Sequence, residues 1–229
     1  LQLLKTEAST LRNLVHAGLG RNVVVQFHKI CYDDFGKKAM TFWLGVPMLK
    51  VPSDLWVYQE IICELKPDII IECGTASGGS ALFMASICDL LNNGKIITID
   101  VEEKEGKPLH KRIVYLVGSS TSNEVVEHVR RLVGRRDKVM VILDSDHRKE
   151  HVIRELRIYS ELVTKGSYII VEDTNINGHP VYPEFGPGPM EAVEEFLKEN
   201  KDFIVDQSRE KFYLTFNPNG YLRRIKDRV

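Results

Sequence analysis

The sequence predicts an α/β fold built on a mostly parallel, seven-stranded sheet that ends in a C-terminal antiparallel hairpin. Short apolar runs alternate with segments of helical periodicity from about residue 54 onwards, a pattern typical of parallel strands joined by right-handed crossovers. A glycine-rich turn follows the first apolar run and leads directly into a helix. Only residues 207–210 separate the last two predicted strands, too few for a crossover helix, so we expect antiparallel pairing.

The individual elements follow from hydrophobic periodicity and from turn residues. The predicted strands are 68–73, 95–100, 113–117, 138–144, 167–171, 203–206 and 211–216, and the predicted helices are 54–65, 79–91, 122–133, 148–162 and 190–198. We expect Asp54 to cap the first helix and Pro67 to end it.

The length of 229 residues suits one large α/β domain, or one domain with a small appendage. We predict that residues 1–53 form an N-terminal helical or irregular cap and that residues 54–229 form the main domain. Within the cap, residues 1–17 are weakly helical in pattern and residues 18–53 are expected to be irregular.

Composition excludes several classes of protein. A hydrophobic content of 43% and a net charge of -1 are those of an ordinary globular protein, and they give no reason to expect nucleic acid or an anionic membrane as a partner. No apolar run is long enough for a membrane span. The four cysteines lack CxxC spacing, which favours reduced thiols and a cytoplasmic location. Charges break the N-terminus too early for a signal peptide, and the missing methionine suggests that the natural chain begins earlier.

The glycine-rich turn has the pattern Glu-x-Gly-x-x-x-Gly-Gly over residues 72–79. Glycines let a ligand approach the backbone, and a helix N-terminus presents unpaired N–H groups. The pattern differs from the Gly-x-Gly-x-x-Gly of dinucleotide binders. An acid at the strand end suits a cationic, amine-bearing ligand such as S-adenosylmethionine, although a turn without a ligand stays an alternative. The candidate cofactor-binding residues are Glu72, Gly74, Thr75, Gly78, Ser80, Asp100, Ser119, Ser120 and Asp144.

Three of these positions have individual roles. Asp100 ends the second main strand, where an acid accepts hydrogen bonds from ribose hydroxyls in nucleotide-binding α/β folds. Ser119 and Ser120 end the third strand and are expected at the adenine edge. The alternatives are a solvated acid and ordinary turn serines.

Acids also follow the fourth and fifth strands. Asp144, Glu172 and Asp173 are expected to converge, because the ends of neighbouring strands lie about 5 Å apart. An all-oxygen set suits Mg²⁺, Mn²⁺ or Ca²⁺ rather than Zn²⁺; the alternative is that these acids cap helices and turns, as Asp146 can. His147 lies at the same crevice and is a candidate general base or, alternatively, a surface residue.

Taken together, these motifs resemble the cephalosporin hydroxylase family, whose relatives include rhamnosyl and macrolide-sugar O-methyltransferases. The resemblance spans roughly residues 41–200 and includes Trp43-Leu44-Gly45-Val46-Pro47. It implies the Rossmann-like fold of class I S-adenosylmethionine-dependent methyltransferases. It also implies Mg²⁺ (or Mn²⁺) held by Asp144, Glu172 and Asp173, with His147 as the base. Catechol-type O-methyltransferases typically have a lysine and an Asp-Asn pair at these places, so a catechol acceptor is disfavoured.

The predicted function is metal-dependent transfer of a methyl group from S-adenosylmethionine to a hydroxyl of a small molecule, a sugar or glycosylated natural product, by a homo-oligomer. The loop 174–189 is rich in glycine and proline, as a substrate lid or a plain connection would be. One alternative is a non-catalytic or accessory cofactor-binding subunit of a hydroxylase or methoxylation system. A nicotinamide-dependent oxidoreductase is another, although its glycine pattern is absent.

Overall fold

The computed structural model describes residues 19–35 and 40–228. The chain divides into two compact units, residues 1–39 and residues 40–229. The first unit contains helix α1 (Leu19–Asp34), so the expectation of irregular structure from residue 18 onwards was wrong for this segment. The weak helix predicted over residues 1–17 lies outside the described residues.

The second unit opens with a short hairpin, which also contradicts the irregular structure expected there. Strands β1 (Thr41–Trp43) and β2 (Val46–Met48) pair antiparallel. Trp43 anchors this hairpin, because its ring packs edge-on against Phe83 with centroids 5.0 Å apart and its Nε1 donates to Ser86 Oγ at 3.0 Å. Both partners belong to helix α3 (Gly79–Leu90). The hairpin is therefore packed on α3 through Trp43.

The main sheet has seven strands, as predicted. In chain order they are β3 (Ile69–Cys73), β4 (Lys95–Asp100), β5 (Ile113–Val117), β6 (Val139–Leu143), β7 (Tyr168–Val171), β8 (Phe203–Val205) and β9 (Tyr221–Arg224). The spatial order is β5-β4-β3-β6-β7-β9-β8. Strands β3 to β7 run parallel, and β9 pairs antiparallel with both β7 and β8.

The last strand was predicted in the wrong place. Residues 207–210 form a 3₁₀ helix, and the antiparallel partner of β8 is Tyr221–Arg224 rather than 211–216. Phe212 and Tyr213 are exposed, whereas Tyr221 and Leu222 are fully buried on opposite faces of the sheet. Burial of both faces therefore selects the later segment as the strand.

Helices cover both faces of the sheet. Helices α4 (Asn123–Leu132), α5 (Lys149–Tyr159) and α6 (Pro189–Glu199) pack on one face, and α2 (Pro52–Leu65) and α3 pack on the other. Strand β3 alternates between these two layers, since Ile71 and Cys73 face the first and Ile70 the second. No helix in the described ranges is both long and apolar enough to cross a membrane.

Two predicted helix caps were wrong. Helix α2 begins at Pro52 and its N-cap is Val51, so Asp54 lies in the first turn and faces the core. There its carboxylate accepts hydrogen bonds from Phe216 N at 2.9 Å and Tyr221 Oη at 3.0 Å. Helix α5 likewise has no side-chain cap, so the capping role considered for Asp146 is not observed.

Candidate functional site

A cavity of about 610 Å³ opens at the carboxyl ends of the parallel strands, the place where open α/β sheets bind ligands. Its wall is formed by the end of the β1–β2 hairpin, by the turn between β3 and α3, and by the residues after β4, β5, β6 and β7. The predicted residues that line it are Gly74, Thr75, Ser80, Asp100, Ser119, Ser120, Asp144, His147 and Asp173, whereas Glu72, Gly78 and Glu172 do not.

The glycines of the β3–α3 turn are required by close packing. A Cβ on Gly74 would lie 1.8 Å from the backbone oxygen of Asp144, and one on Gly79 would lie 2.4 Å from the backbone oxygen of Pro47. Gly78 caps α3 with a left-handed backbone, φ 80°. These glycines therefore bring the end of β6 and the hairpin against the turn, which closes the cavity from two sides.

Asp100 ties the end of β4 to the same turn. Its Oδ2 accepts hydrogen bonds from Thr75 N at 3.1 Å and Ala76 N at 2.8 Å, and its Oδ1 accepts one from Glu102 N at 3.0 Å. A carboxylate has about four lone-pair sites, so Asp100 keeps acceptor capacity toward the cavity.

Glu72 lies beneath the cavity rather than in its wall. Its side chain is fully buried, and Thr98 Oγ1 donates to its Oε2 at 2.6 Å. Burial raises the pKa of this carboxyl to about 7, against the opposing effect of the Lys50 ammonium. A role for Glu72 in direct contact with a ligand stays a prediction.

A group of three ionisable side chains converges after β6 and β7. Ligand atoms of Asp144, His147 and Asp173 lie within 4.8 Å of one another. His147 Nε2 is 3.2 Å from Asp173 Oδ2 and 4.0 Å from Asp144 Oδ1. Burial raises the pKa of Asp173, and the adjacent imidazole opposes that shift. This group combines two carboxylates with a potential base at the edge of the cavity.

Glu172, the third predicted metal ligand, is not part of this group, although its carboxylate shares the Lys50 ammonium with Asp144. Tyr58 Oη donates to Glu172 Oε1 at 2.6 Å, and Lys50 Nζ approaches the same oxygen to 2.5 Å. Asp173 has a left-handed backbone, φ 52°, which turns successive side chains in different directions. The neighbouring acids therefore separate, Glu172 into the core and Asp173 into the cavity.

Lys50 is a site residue that sequence reasoning missed. Its ammonium is buried, lines the cavity and pairs with Asp144 as well as with Glu172. Burial lowers the pKa of Lys50, but the two carboxylates outweigh that effect and raise it overall. The only signal in the sequence was its position at the end of the apolar segment 41–50.

The residues near Ser120 were missed as well. Ser145 and His151 line the cavity beside Ser120, and all three contact the buried carboxylate of Glu155. Asp146 accepts a hydrogen bond from Arg148 N at 3.0 Å and pairs with the guanidinium of that residue. The guanidinium lowers the pKa of Asp146 to about 2.

Solved structures with the same fold include two of CmcI. An apo structure of CmcI aligns with a TM-score of 0.64 and 23% identity, covering 81% of this chain and 76% of that chain. A structure of CmcI with Mg and SAM aligns with a TM-score of 0.62 and 21% identity, covering 85% and 84%. At these identities the similarity defines the fold, so the predicted Rossmann-like methyltransferase fold is confirmed.

Sequence similarity then defines the family. The Rhamnosyl O-methyltransferase/CmcI family matches residues 37–225. The rhamnosyl O-methyltransferase of Mycobacterium leprae (strain TN) is 40% identical over 209 residues, 89% of this chain and 91% of that protein. The chain belongs to the Rhamnosyl O-methyltransferase/CmcI family. The predicted family and the predicted class of enzyme, an O-methyltransferase, are confirmed.

Proposed function

We propose that this protein transfers a methyl group from S-adenosylmethionine to a hydroxyl of a sugar or glycosylated natural product, with the help of a divalent metal. One observation carries the proposal. The acid–histidine group at Asp144, His147 and Asp173 lines the same cavity as the glycine turn and Asp100. A methyl donor and a hydroxyl acceptor can therefore meet there. The curated relatives, named rhamnosyl O-methyltransferases, support a sugar acceptor.

The cofactor would lie along the β3–α3 turn. We assign its ribose hydroxyls to Asp100, its amino-acid half to the turn from Gly74 to Ser80, and its adenine to the side of Ser119 and Ser120. The SAM recorded in a CmcI structure of the same fold supports this cofactor.

The donor set fits a hard divalent cation. Asp144 and Asp173 offer carboxylate oxygens from adjacent strand ends, the ligands that Mg²⁺ and Mn²⁺ prefer. Glu172 contacts Lys50 and Tyr58 through Oε1, so only its other oxygen, Oε2, could join them without breaking these contacts. When bound, such a cation polarises an acceptor hydroxyl and favours its ionisation.

His147 would accept the proton from the acceptor hydroxyl. Its imidazole lies at the cavity edge, and its Nε2 lies within hydrogen-bond distance of Asp173. The Asp173 carboxylate would stabilise the imidazolium that forms when the proton arrives. Lys50 offsets negative charge on the other side of Asp144. Burial and the nearby Asp144 carboxylate raise the pKa of Glu172 well above its usual range, and the Lys50 ammonium opposes that shift.

The test is methyl transfer from isotopically labelled S-adenosylmethionine to a panel of acceptors. Rhamnose-terminated glycosides, other glycosides and a catechol are incubated with the protein, and labelled products are identified by mass spectrometry. We expect labelled glycosides only, with activity lost in EDTA and restored by Mg²⁺ or Mn²⁺. Full activity in EDTA would refute the metal role. Cofactor binding without transfer to any acceptor would favour the accessory-subunit alternative.

A further inference from the structure

Glu155 of helix α5 organises one wall of the cavity from below. Its carboxylate is fully buried and does not line the cavity, yet three side chains that do line it converge on Oε1. Ser145 Oγ donates to this oxygen at 2.7 Å, Ser120 Oγ donates to it as well, and His151 Nε2 lies 3.3 Å away. The other oxygen, Oε2, is buried and has no hydrogen-bond partner among the described residues.

These contacts determine the polarity of the cavity wall. A serine hydroxyl has one proton and two lone pairs. Because Ser120 and Ser145 commit their protons to Glu155, each hydroxyl can offer only lone pairs to a ligand. His151 Nε2 lies 3.1 Å from Ser120 Oγ and occupies one more of the hydrogen-bonding positions around that oxygen. The wall therefore accepts hydrogen bonds and cannot donate them from these hydroxyls.

We propose that Glu155 is a positioning residue that makes Ser120 and Ser145 acceptors, so that this wall selects a base with an exocyclic amino group over one with a carbonyl group at the same place. The proposal rests on the proposed cofactor. If the ribose hydroxyls lie at Asp100, the base and the amino-acid half leave opposite sides of the ribose. The amino-acid half then follows the glycine turn, and the base reaches the wall formed by Ser120, Ser145 and His151.

The experiment compares two ligands by calorimetry. S-adenosylhomocysteine has a 6-amino group, and S-inosylhomocysteine has a 6-oxo group in its place. The wild-type protein should bind the amino compound roughly tenfold to hundredfold more tightly. The 6-oxo oxygen of the other compound would face the serine oxygens, which are also acceptors, and these groups would stay without a hydrogen bond.

The variants test whether Glu155 sets this preference. Glu155→Met removes the acceptor, frees both hydroxyl protons and should bring the affinity ratio close to one. Glu155→Gln keeps one acceptor oxygen and should restore the preference. Glu150→Met makes the same change on the exposed side of the same helix and should leave the ratio unchanged. If Glu155→Met does not fold, Ser120→Ala and Ser145→Ala should each lower the ratio, because each removes an acceptor.

Four results would overturn the proposal. Equal binding of both ligands by the wild-type protein would remove the selectivity while leaving the proposed function intact. An equal loss of affinity for both ligands in Glu155→Met would assign Glu155 a structural role only. An unchanged affinity ratio in both Ser120→Ala and Ser145→Ala would show that these hydroxyls do not select the base. Failure of the wild-type protein to bind either ligand would refute the cofactor assignment itself.

Discussion

At the scale of single residues, His147 has two possible roles, general base and metal ligand, and its substitution separates them. Its Nε2 lies close to both Asp144 and Asp173, so the imidazole can serve as a base or as a third ligand. As a base, it contributes to turnover without contributing to metal affinity. As a ligand, it contributes to both.

We expect His147→Ala to lower kcat about 10²–10⁴-fold, the usual cost of removing a general base. Mn²⁺ affinity should stay within roughly a factor of two or three of the wild-type value, which is the usual variation for a residue that does not bind the metal. Steady-state kinetics and Mn²⁺ calorimetry measure the two quantities. His128→Ala changes an exposed histidine of α4 and serves as the control. A parallel loss of turnover and Mn²⁺ binding would identify His147 as a ligand instead.

The acids of the site make a second prediction at this scale. Asp144→Asn and Asp173→Asn should lower Mn²⁺ affinity by at least roughly tenfold, because even groups that only orient a metal ligand contribute that much. Asp146→Asn changes an acid of the same loop that is paired with Arg148 and should have little effect. Glu172→Gln should lower Mn²⁺ affinity only if Glu172, the third predicted ligand, contacts the metal. Unchanged affinity in both aspartate variants would refute a metal site here.

At the scale of elements, the β1–β2 hairpin positions the ammonium of Lys50 at the carboxyl ends of the parallel strands. Thr41 Oγ1 lies 2.8 and 2.9 Å from the backbone oxygens of Met48 and Lys50 and shares its one proton between them, which fixes the chain just before α2. From there the Lys50 ammonium reaches the carboxylates at the ends of β6 and β7. The hairpin is therefore electrostatically joined to the sheet as well as packed on α3.

Lys50→Met should destabilise the protein by about 3–5 kcal/mol, the typical cost of removing one partner from a buried ion pair. The free energy of unfolding in urea without added metal measures this effect. Lys95→Met, at an exposed lysine of β4, is the matched control and should change stability by less than about 0.5 kcal/mol. A Lys50→Met protein as stable as the control would mean that the carboxylates are neutral without the lysine.

Some elements of this fold can be predicted from the sequence and others cannot. Strands β3 to β7 are short apolar runs followed by polar residues, and local periodicity places them well. Strand β9 depends on insertion between β7 and β8, a long-range pairing that leaves no local signal, and so the more apolar run nearby was preferred. The same reasoning explains the site. Asp100, Asp144, His147 and Asp173 follow strands in sequence, whereas Lys50 and Glu155 reach the cavity region only through tertiary packing.

At the scale of the whole molecule, two buried acids lower stability as pH rises. Burial raises the pKa of Glu72 to about 7 and that of Asp54 to about 6. Each group is protonated in the folded protein at pH values where the unfolded chain has already released its proton. The unfolded state therefore binds fewer protons across that window, and the free energy of unfolding must fall as pH rises.

Glu72 allows this linkage to be measured separately. Its folded pKa of about 7 lies above its ordinary value of 4.5, so its contribution is fully present below about pH 4.5 and is lost as the pH passes about 7. The change approaches about 3 kcal/mol, since each pKa unit corresponds to about 1.4 kcal/mol. Glu72→Gln stays neutral and should not show this loss. The difference in unfolding free energy between variant and wild type, measured in urea from pH 5 to pH 8, should shift by up to that amount in favour of the variant. A constant difference across this range would mean that Glu72 is ionised in the folded protein throughout, and the base of the cavity would then hold a buried charge rather than a neutral acid.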